Sequence, residues 1–193
     1  MKPVRNLGRI SMMNNESKPR AIETANLLLV PCELAHVEAI MRDKKELERM
    51  LSLTVPDNWL TFPESMHYVY KHLKSDPSAI EWGFRLFVHA ADRVLIGEGG
   101  FKGKPDEEGV VEIGYALVPE YRGRGFATEA ARGLAAYAFS HTEVKIVQAH
   151  TLKDGTASIN VLKKLGMNLV GTATDPDEGE VLRWRVERKD YIP

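Results

Sequence analysis

The sequence predicts an α/β fold in one domain, a mixed sheet of about seven strands with helices packed on it. Three observations predict it. Apolar residues alternate with period two through Phe84, Leu86 and Val88 and in the two segments that follow. They recur at helical spacing before that stretch and again from Ala127. Between these regions a glycine-rich turn carries a strand straight into a long helix, as in a parallel crossover.

The elements read in order as follows. Residues 1–22 are polar and aperiodic and are expected to form a mobile arm before a domain at 23–193. TANLLLV, residues 24–30, is a first strand stopped by Pro31. Leu34, Val37, Ile40 and Met41 mark one helix, Leu47, Met50 and Leu51 a second, and Met66, Val69, Tyr70 and Leu73 a third beyond the loop VPDNWLTFPE. Strands at 84–88, 94–101 and 110–118 form a meander that Pro119 ends. Ala127, Ala130, Ala131, Leu134 and Ala138 then mark the long helix. A strand at 144–150 should run parallel to the one at 110–118, and Ile159, Leu162 and Leu165 give a helix stopped at Gly166. Two last strands, 167–172 and 181–186, flank the acidic turn DPDEGE.

Composition disfavours several classes of function. Lys and Arg number 26 against 27 Asp and Glu, so no positive excess favours nucleic acid or an anionic membrane as a partner. No run has the length of a membrane span or secretory signal. Cys32 is the only cysteine, which rules out an intrachain disulfide and leaves a thiolate zinc site short of ligands. His67 and His72 are five apart, on different helix faces, and no metal is expected. The location expected is the cytoplasm. A homodimer is left open.

The chemistry concentrates in YRGRGFATEA, residues 121–130. Gly123 and Gly125 permit a tight turn and close approach of a ligand, while the helix start presents unpaired N–H groups and its positive dipole end. Such a turn suits a phosphate or pyrophosphate. Arg122 and Arg124 add mobile positive charge, and Thr128 adds a hydroxyl. A plain glycine turn with solvated arginines fits these residues equally. The stretch GEGGFKGK at 97–104 does not make a nucleoside-triphosphate loop, because Glu98 stands where its first glycine is required and Pro105 where Ser or Thr is required.

The run Arg122-Gly123-Arg124-Gly125-Phe126-Ala127 resembles the Arg/Gln-x-x-Gly-x-Gly/Ala signature of the GCN5-related N-acetyltransferase (GNAT) superfamily, in the same strand-turn-helix setting. EIGYALVPEYRGRG and LKDGTASINVLKKLGM resemble its ribosomal-protein-acetyltransferase-like branch. The resemblance covers roughly residues 24–188 and is strongest from 93 to 168. It implies a centrally splayed sheet with helices on both faces, acetyl-CoA as cosubstrate, and direct transfer to an amine without a covalent enzyme intermediate. It also implies that Gly123, Arg124, Gly125, Phe126 and Ala127 hold the pyrophosphate. Pantetheine would lie where the strands ending near Val118 and His150 splay, and a backbone N–H at Leu117 or Val118 would polarise the thioester carbonyl.

An amine with a pKa near ~10.4 is neutral in well under ~1% of molecules at pH 7, so a group must accept its proton. Glu112, on the cleft strand, is the first candidate, acting directly or through water. Glu98 is the second, with Gly97, Gly99 and Gly100 either leaving room beside it or permitting close packing of another backbone. The tyrosine that many relatives carry near 156–165 to protonate the thiolate is absent. Ser158 is the hydroxyl there, suited to that role or to a backbone or pantetheine contact. The family's asparagine is replaced by Gly155. Asp57, Trp59, Phe62 and Glu64 occupy the loop that lines the acceptor site in this superfamily, although the two aromatics read more readily as anchors of that loop. The acceptor is then a small molecule or a protein N-terminus. A CoA-binding module without turnover and a nucleotide-dependent phosphoryl transferase are the rival readings.

Overall fold

The computed structural model describes residues 19–61 and 63–192. Two strands open it, β1 (Ile22–Glu23) and β2 (Leu27–Pro31), and every residue of β2 is buried. Three helices follow, α1 (Leu34–Arg42), α2 (Lys44–Leu51) and α3 (Ser65–Ser75). Asp43 separates the first two in extended conformation and caps α2, its carboxylate accepting from the Lys45 N–H at 3.0 Å. The meander is β3 (Phe84–His89), β4 (Val94–Phe101) and β5 (Val110–Leu117), then come α4 (Phe126–Ser140), β6 (Ile146–Thr151), α5 (Thr156–Lys164), β7 (Asn168–Asp175) and β8 (Gly179–Glu187).

The strands form one sheet in the order β1-β2-β3-β4-β5-β6-β8-β7. Only β5 and β6 are parallel, and α4 is their crossover. The sheet has eight strands where about seven are expected, because β1 is too short to show a period. It begins at Ile22, at the end of the expected arm; residues 1–18 of that arm lie outside the described residues. Among the described residues no helix is long and apolar enough to cross a membrane.

Helices cover both faces. In β5, Val111, Ile113, Tyr115 and Leu117 share one face, and Glu112, Gly114 and Ala116 the other. The Tyr115 hydroxyl donates to the Ser158 carbonyl at 3.4 Å, which places α5 over the first face. The Thr61 N–H donates to Glu98, the cross-strand neighbour of Ala116, which places the α2–α3 loop over the second. The small residues Ala130, Ala131, Ala135 and Ala138 let α4 lie close against the sheet, all fully buried.

Glu129, in the first turn of α4, ties down the opening hairpin. Its carboxylate accepts from the Thr24 hydroxyl (2.6 Å), the Asn26 N–H (2.6 Å) and the Asn26 side-chain amide (2.9 Å). Burial by itself would raise this carboxyl, but the bonds from Thr24 and Asn26 outweigh it and hold the group below its ordinary value. The stability gained is present above the ordinary carboxylate range and is lost as pH falls through the lowered value. Glu129→Ala should therefore cost about 1–3 kcal/mol near neutrality, some 2–4 °C of melting temperature per kcal/mol. In thermal melts the gap from wild type should close in acid; equal melting at pH 7 would show that the hairpin is held by other contacts.

Candidate functional site

The pairing of β5 with β6 stops after three residue pairs, Val110–Ile146, Val111–Val147 and Glu112–Gln148. From there β5 stays with β4 as far as Leu117, and β6 stays with β8 as far as Thr151. A wedge therefore opens between Ile113–Leu117 and Ala149–Thr151. The Val118 N–H donates to the Ile96 carbonyl at 2.9 Å, which removes it as a ligand donor. Because N–H groups alternate between the two edges of a strand, that of Leu117 faces the wedge. The Leu117 carbonyl is on the same edge and accepts from Arg122 Nε at 2.8 Å.

At the wide end of the wedge lies the turn into α4. Gly125 caps the helix with φ of 88°, in the left-handed region, and gives the first turn no side-chain acceptor. The N–H groups of Phe126, Ala127 and Thr128 are thus left to an external partner. No atom stands within 4 Å of where a Cβ would sit on Gly123 or Gly125, so the turn is open on its outer side. This is a cradle fitted to an anion.

Both arginines around it, exposed as they are, contact the protein. Arg122 is folded onto the β5 edge. Arg124 lies over two neighbouring rings, its guanidinium carbon 5.0 Å from the centroids of both Tyr121 and Phe126. Tyr121 is fixed in turn by donating to Asp92 at 2.8 Å, and Asp92 also lies 3.0 Å from His89 Nδ1. These partners come from the β3–β4 hairpin, which motif reading does not reach.

The two carboxylates proposed as bases share one face of the sheet, but they stand apart. Glu98 faces Ala116, four residues along β5 from Glu112, a strand distance of about 13 Å. Glu112 is crowded with donors: Lys102 Nζ at 2.7 Å, His150 Nδ1 at 3.0 Å and Gln148 Nε2 at 3.2 Å. Burial would raise its carboxyl, but Lys102 and His150 more than offset that and lower it. Glu98 is 5% exposed and accepts the Thr61 N–H at 2.7 Å through Oε1, while Oε2 is shut from solvent and has no partner among the described residues. Here burial dominates and pushes the carboxyl up, against the bonds from Thr61.

The glycines of β4 do not provide the room beside Glu98. A Cβ on Gly97 would sit 2.2 Å from the Ala116 carbonyl and one on Gly99 would sit 2.3 Å from that of Gly114, so both serve close backbone packing. The open position is Gly114, between the two carboxylates, where a Cβ would meet nothing within 4 Å.

Of the loop residues, Trp59 is buried in the core at 6% exposure and anchors the loop. Glu64 is exposed at the start of α3, Asp57 is paired with Lys44, and Phe62 lies outside the described residues. Ser158 is half-buried on α5, where its carbonyl receives Tyr115. Burial pushes the Tyr115 phenol up, so it stays protonated. Cys32 is buried, and burial likewise raises its thiol. Sequence reasoning missed His150 and Tyr115, although strand period two puts His150 on the face of Gln148 and hence of Glu112. Among the described residues no group of three His, Cys, Asp or Glu is placed to hold a metal ion.

Comparison with known proteins agrees with this geometry. Residues 26–168 match the family model described as an acetyltransferase (GNAT) domain. The chain is 27% identical over 150 residues to the uncharacterised N-acetyltransferase YjdG of Bacillus subtilis, covering 77% of this chain and 89% of that one. It is 33% identical over 97 residues to the uncharacterised N-acetyltransferase p20 of Bacillus licheniformis, covering 50% and 54%. Similar solved folds include the ribosomal-protein-S5-alanine acetyltransferase of Vibrio fischeri, with a TM-score of 0.63, 15% identity and coverage of 90% and 99%. They also include RimL, a ribosomal L7/L12 alpha-N-protein acetyltransferase solved in complex with coenzyme A, with a TM-score of 0.61, 16% identity and coverage of 87% and 98%. The wedge, the uncapped helix start and these matches together make the chain a member of the GNAT acetyltransferase family.

Proposed function

We propose that this acetyltransferase moves the acetyl group of acetyl-coenzyme A directly to a primary amine, of a small molecule or a protein N-terminus, with Glu98 taking the amine's proton. The wedge between β5 and β6, opening onto the uncapped start of α4, is the observation that carries the reading. The first-turn N–H groups from Phe126 to Thr128, with Gly123 and Arg124, would hold the pyrophosphate. The Leu117 N–H, on the free edge of β5, would polarise a thioester carbonyl. Acetyl-CoA supplies an activated acyl group whose thiol, ionising near ~8.5, is a fair leaving group. Ser158 and the Tyr115 phenol are the hydroxyls on that side of the wedge.

Glu98 is the better proton acceptor of the two carboxylates. Its partnerless oxygen can take a proton without breaking a bond already made, and its raised value narrows the gap to the amine. Glu112 would lose its contacts with Lys102 and His150 on protonation, so its role is to position the apex of the wedge and His150. Acceptors of both kinds occur among similar folds, which include a ribosomal-protein acetyltransferase and a spermidine N-acetyltransferase chimera. A screen of polyamines, amino acids, aminoglycosides and N-terminal peptides by thiol release should return an acceptor. Tight CoA binding with no turnover across that panel would favour a binding module, and thermal stabilisation by ATP in place of acetyl-CoA would favour phosphoryl transfer.

Two substitutions test the residues. Glu98→Gln should lower kcat/KM by about 10²–10⁴-fold with CoA affinity nearly unchanged. It should also remove an acid limb lying above the ordinary glutamate range. In the wild type, stability linked to this group is present below the ordinary value and is lost as pH rises through the raised one, so the variant should be flatter over that window. Unchanged turnover would return the role to Glu112 or to water. Gly125→Ala forces a left-handed alanine, about 1–2 kcal/mol. Calorimetric titration with CoA should show roughly tenfold weaker binding, and unaltered affinity would remove the turn from the cofactor site.

A further inference from the structure

The β6 wall of the wedge continues onto β8. His150, in that wall, is paired across the sheet with Arg183, and Gln148 with Arg185. Directly paired residues of neighbouring strands share a face, and Gln148 is itself paired with Glu112. Both arginines therefore stand on the face of Glu112, which the α2–α3 loop covers through the Thr61 bond to Glu98.

Charge on this face does not balance locally. Its carboxylates are already engaged: Glu112 with Lys102 and His150, Glu98 under Thr61, and Glu187 with Lys189 at 2.9 Å. Asp175, at the end of β7, accepts the N–H groups of Asp177 and Glu178 at 3.0 and 3.1 Å. Arg185 donates Nε to the neutral side-chain amide of Gln148 at 2.8 Å. Arg183 is half-buried, and its Nε is shut from solvent with no hydrogen-bond partner among the described residues. The Nε2 of its neighbour His150 is in the same condition. Among the described residues neither arginine is paired with a carboxylate. A half-buried guanidinium left unanswered is costly until a ligand supplies the acceptor.

There is room for one. A Cβ on Gly171, which faces Arg183 from β7, would meet only Arg183 Nη2, at 3.9 Å. The guanidinium thus borders open space between β8 and β7. With strands about 4.8 Å apart, it lies roughly 5–10 Å from the β6 wall. A molecule with its amine in the wedge reaches Arg183 through several bonds.

Taking the wedge as the site of acetyl transfer, we propose that the acceptor is an aminocarboxylate, whose amine meets the thioester while its distant carboxylate is held by Arg183. Arg185 adds positive charge to the same strip. A diamine or polyamine of equal length would set an ammonium against these guanidiniums and is rejected.

Kinetics by thiol release test this. The wild type should show kcat/KM for ε-aminocaproate roughly tenfold or more above that for cadaverine, which has an ammonium in place of the carboxylate. Arg183→Gln should raise KM for ε-aminocaproate about ten- to a hundredfold, leaving kcat, CoA affinity and the constants for pentylamine, which has no charged end, unchanged. Arg183→Lys should recover part of the loss, and Arg183→Glu should reverse the order of the two charged acceptors. Equal use of ε-aminocaproate and cadaverine by the wild type, or a loss in Arg183→Gln that extends to pentylamine, would overturn the proposal. Calorimetric titration of the CoA-loaded chain with N-acetyl-ε-aminocaproate separates the site from the chemistry. Binding that Arg183→Gln abolishes, and that N-acetylcadaverine does not match, upholds the carboxylate site; if no amine is acetylated, only the transfer reading fails. A wild type that neither acetylates ε-aminocaproate nor binds its acetylated form overturns the site itself.

Discussion

β5 and β6 can part after Glu112 and Gln148 because each has a full antiparallel partner on its other side. β4 follows β5 to Leu117, and β8 follows β6 to Thr151, so neither strand loses its place in the sheet when the parallel ladder stops. Without those flanking ladders, two buried strand edges would be left with unpaired N–H and C=O groups, which is costly. With them, one edge of each strand becomes available to a ligand. The turn to α4 lies at the open end because α4 is the crossover that joins the parting strands.

The apex of the wedge is held by polar contacts. Glu112 and Gln148 form the last pair of the ladder and also touch through their side chains; Lys102 reaches Glu112 from the β4 side, and Arg185 Nε donates to Gln148 at 2.8 Å from β8. Four strands thus meet around one half-buried carboxylate. An ion surrounded by three donors is costly to strip of its partners, so the point of parting is sharply defined.

The glycine turn was legible in the sequence because its signal is local: glycines, arginines and the start of a helical period are adjacent in the chain. The meander and the parallel crossover were legible for the same reason, from period and turn residues. β1 was not, since two residues carry no period. The environment of Glu112 was not legible either, because Lys102, Gln148 and His150 reach it from two other strands and only the sheet register brings them together. The arginines show the same limit. Nothing adjacent to Arg124 in sequence announces that the Tyr121 ring beneath it is itself fixed by Asp92 of a distant hairpin. Trp59 suits a loop anchor or a binding-loop residue by its chemistry, and its burial agrees with the anchor.

Two glutamates on one face of one sheet are driven to opposite protonation behaviour by what surrounds them. Desolvation opposes the charge on both. At Glu112 a lysine, a histidine and an amide answer it, and the carboxylate is locked as an anion that organises strands. At Glu98 only Thr61 answers it, and Oε2 has no partner among the described residues. Thr61 lies in the loop that covers this face, so the carboxyl that burial raises is also the one in contact with that loop. The strand-organising contacts and the proton-accepting role proposed for Glu98 thus fall on different carboxylates about 13 Å apart along the sheet, with Gly114 leaving space between them.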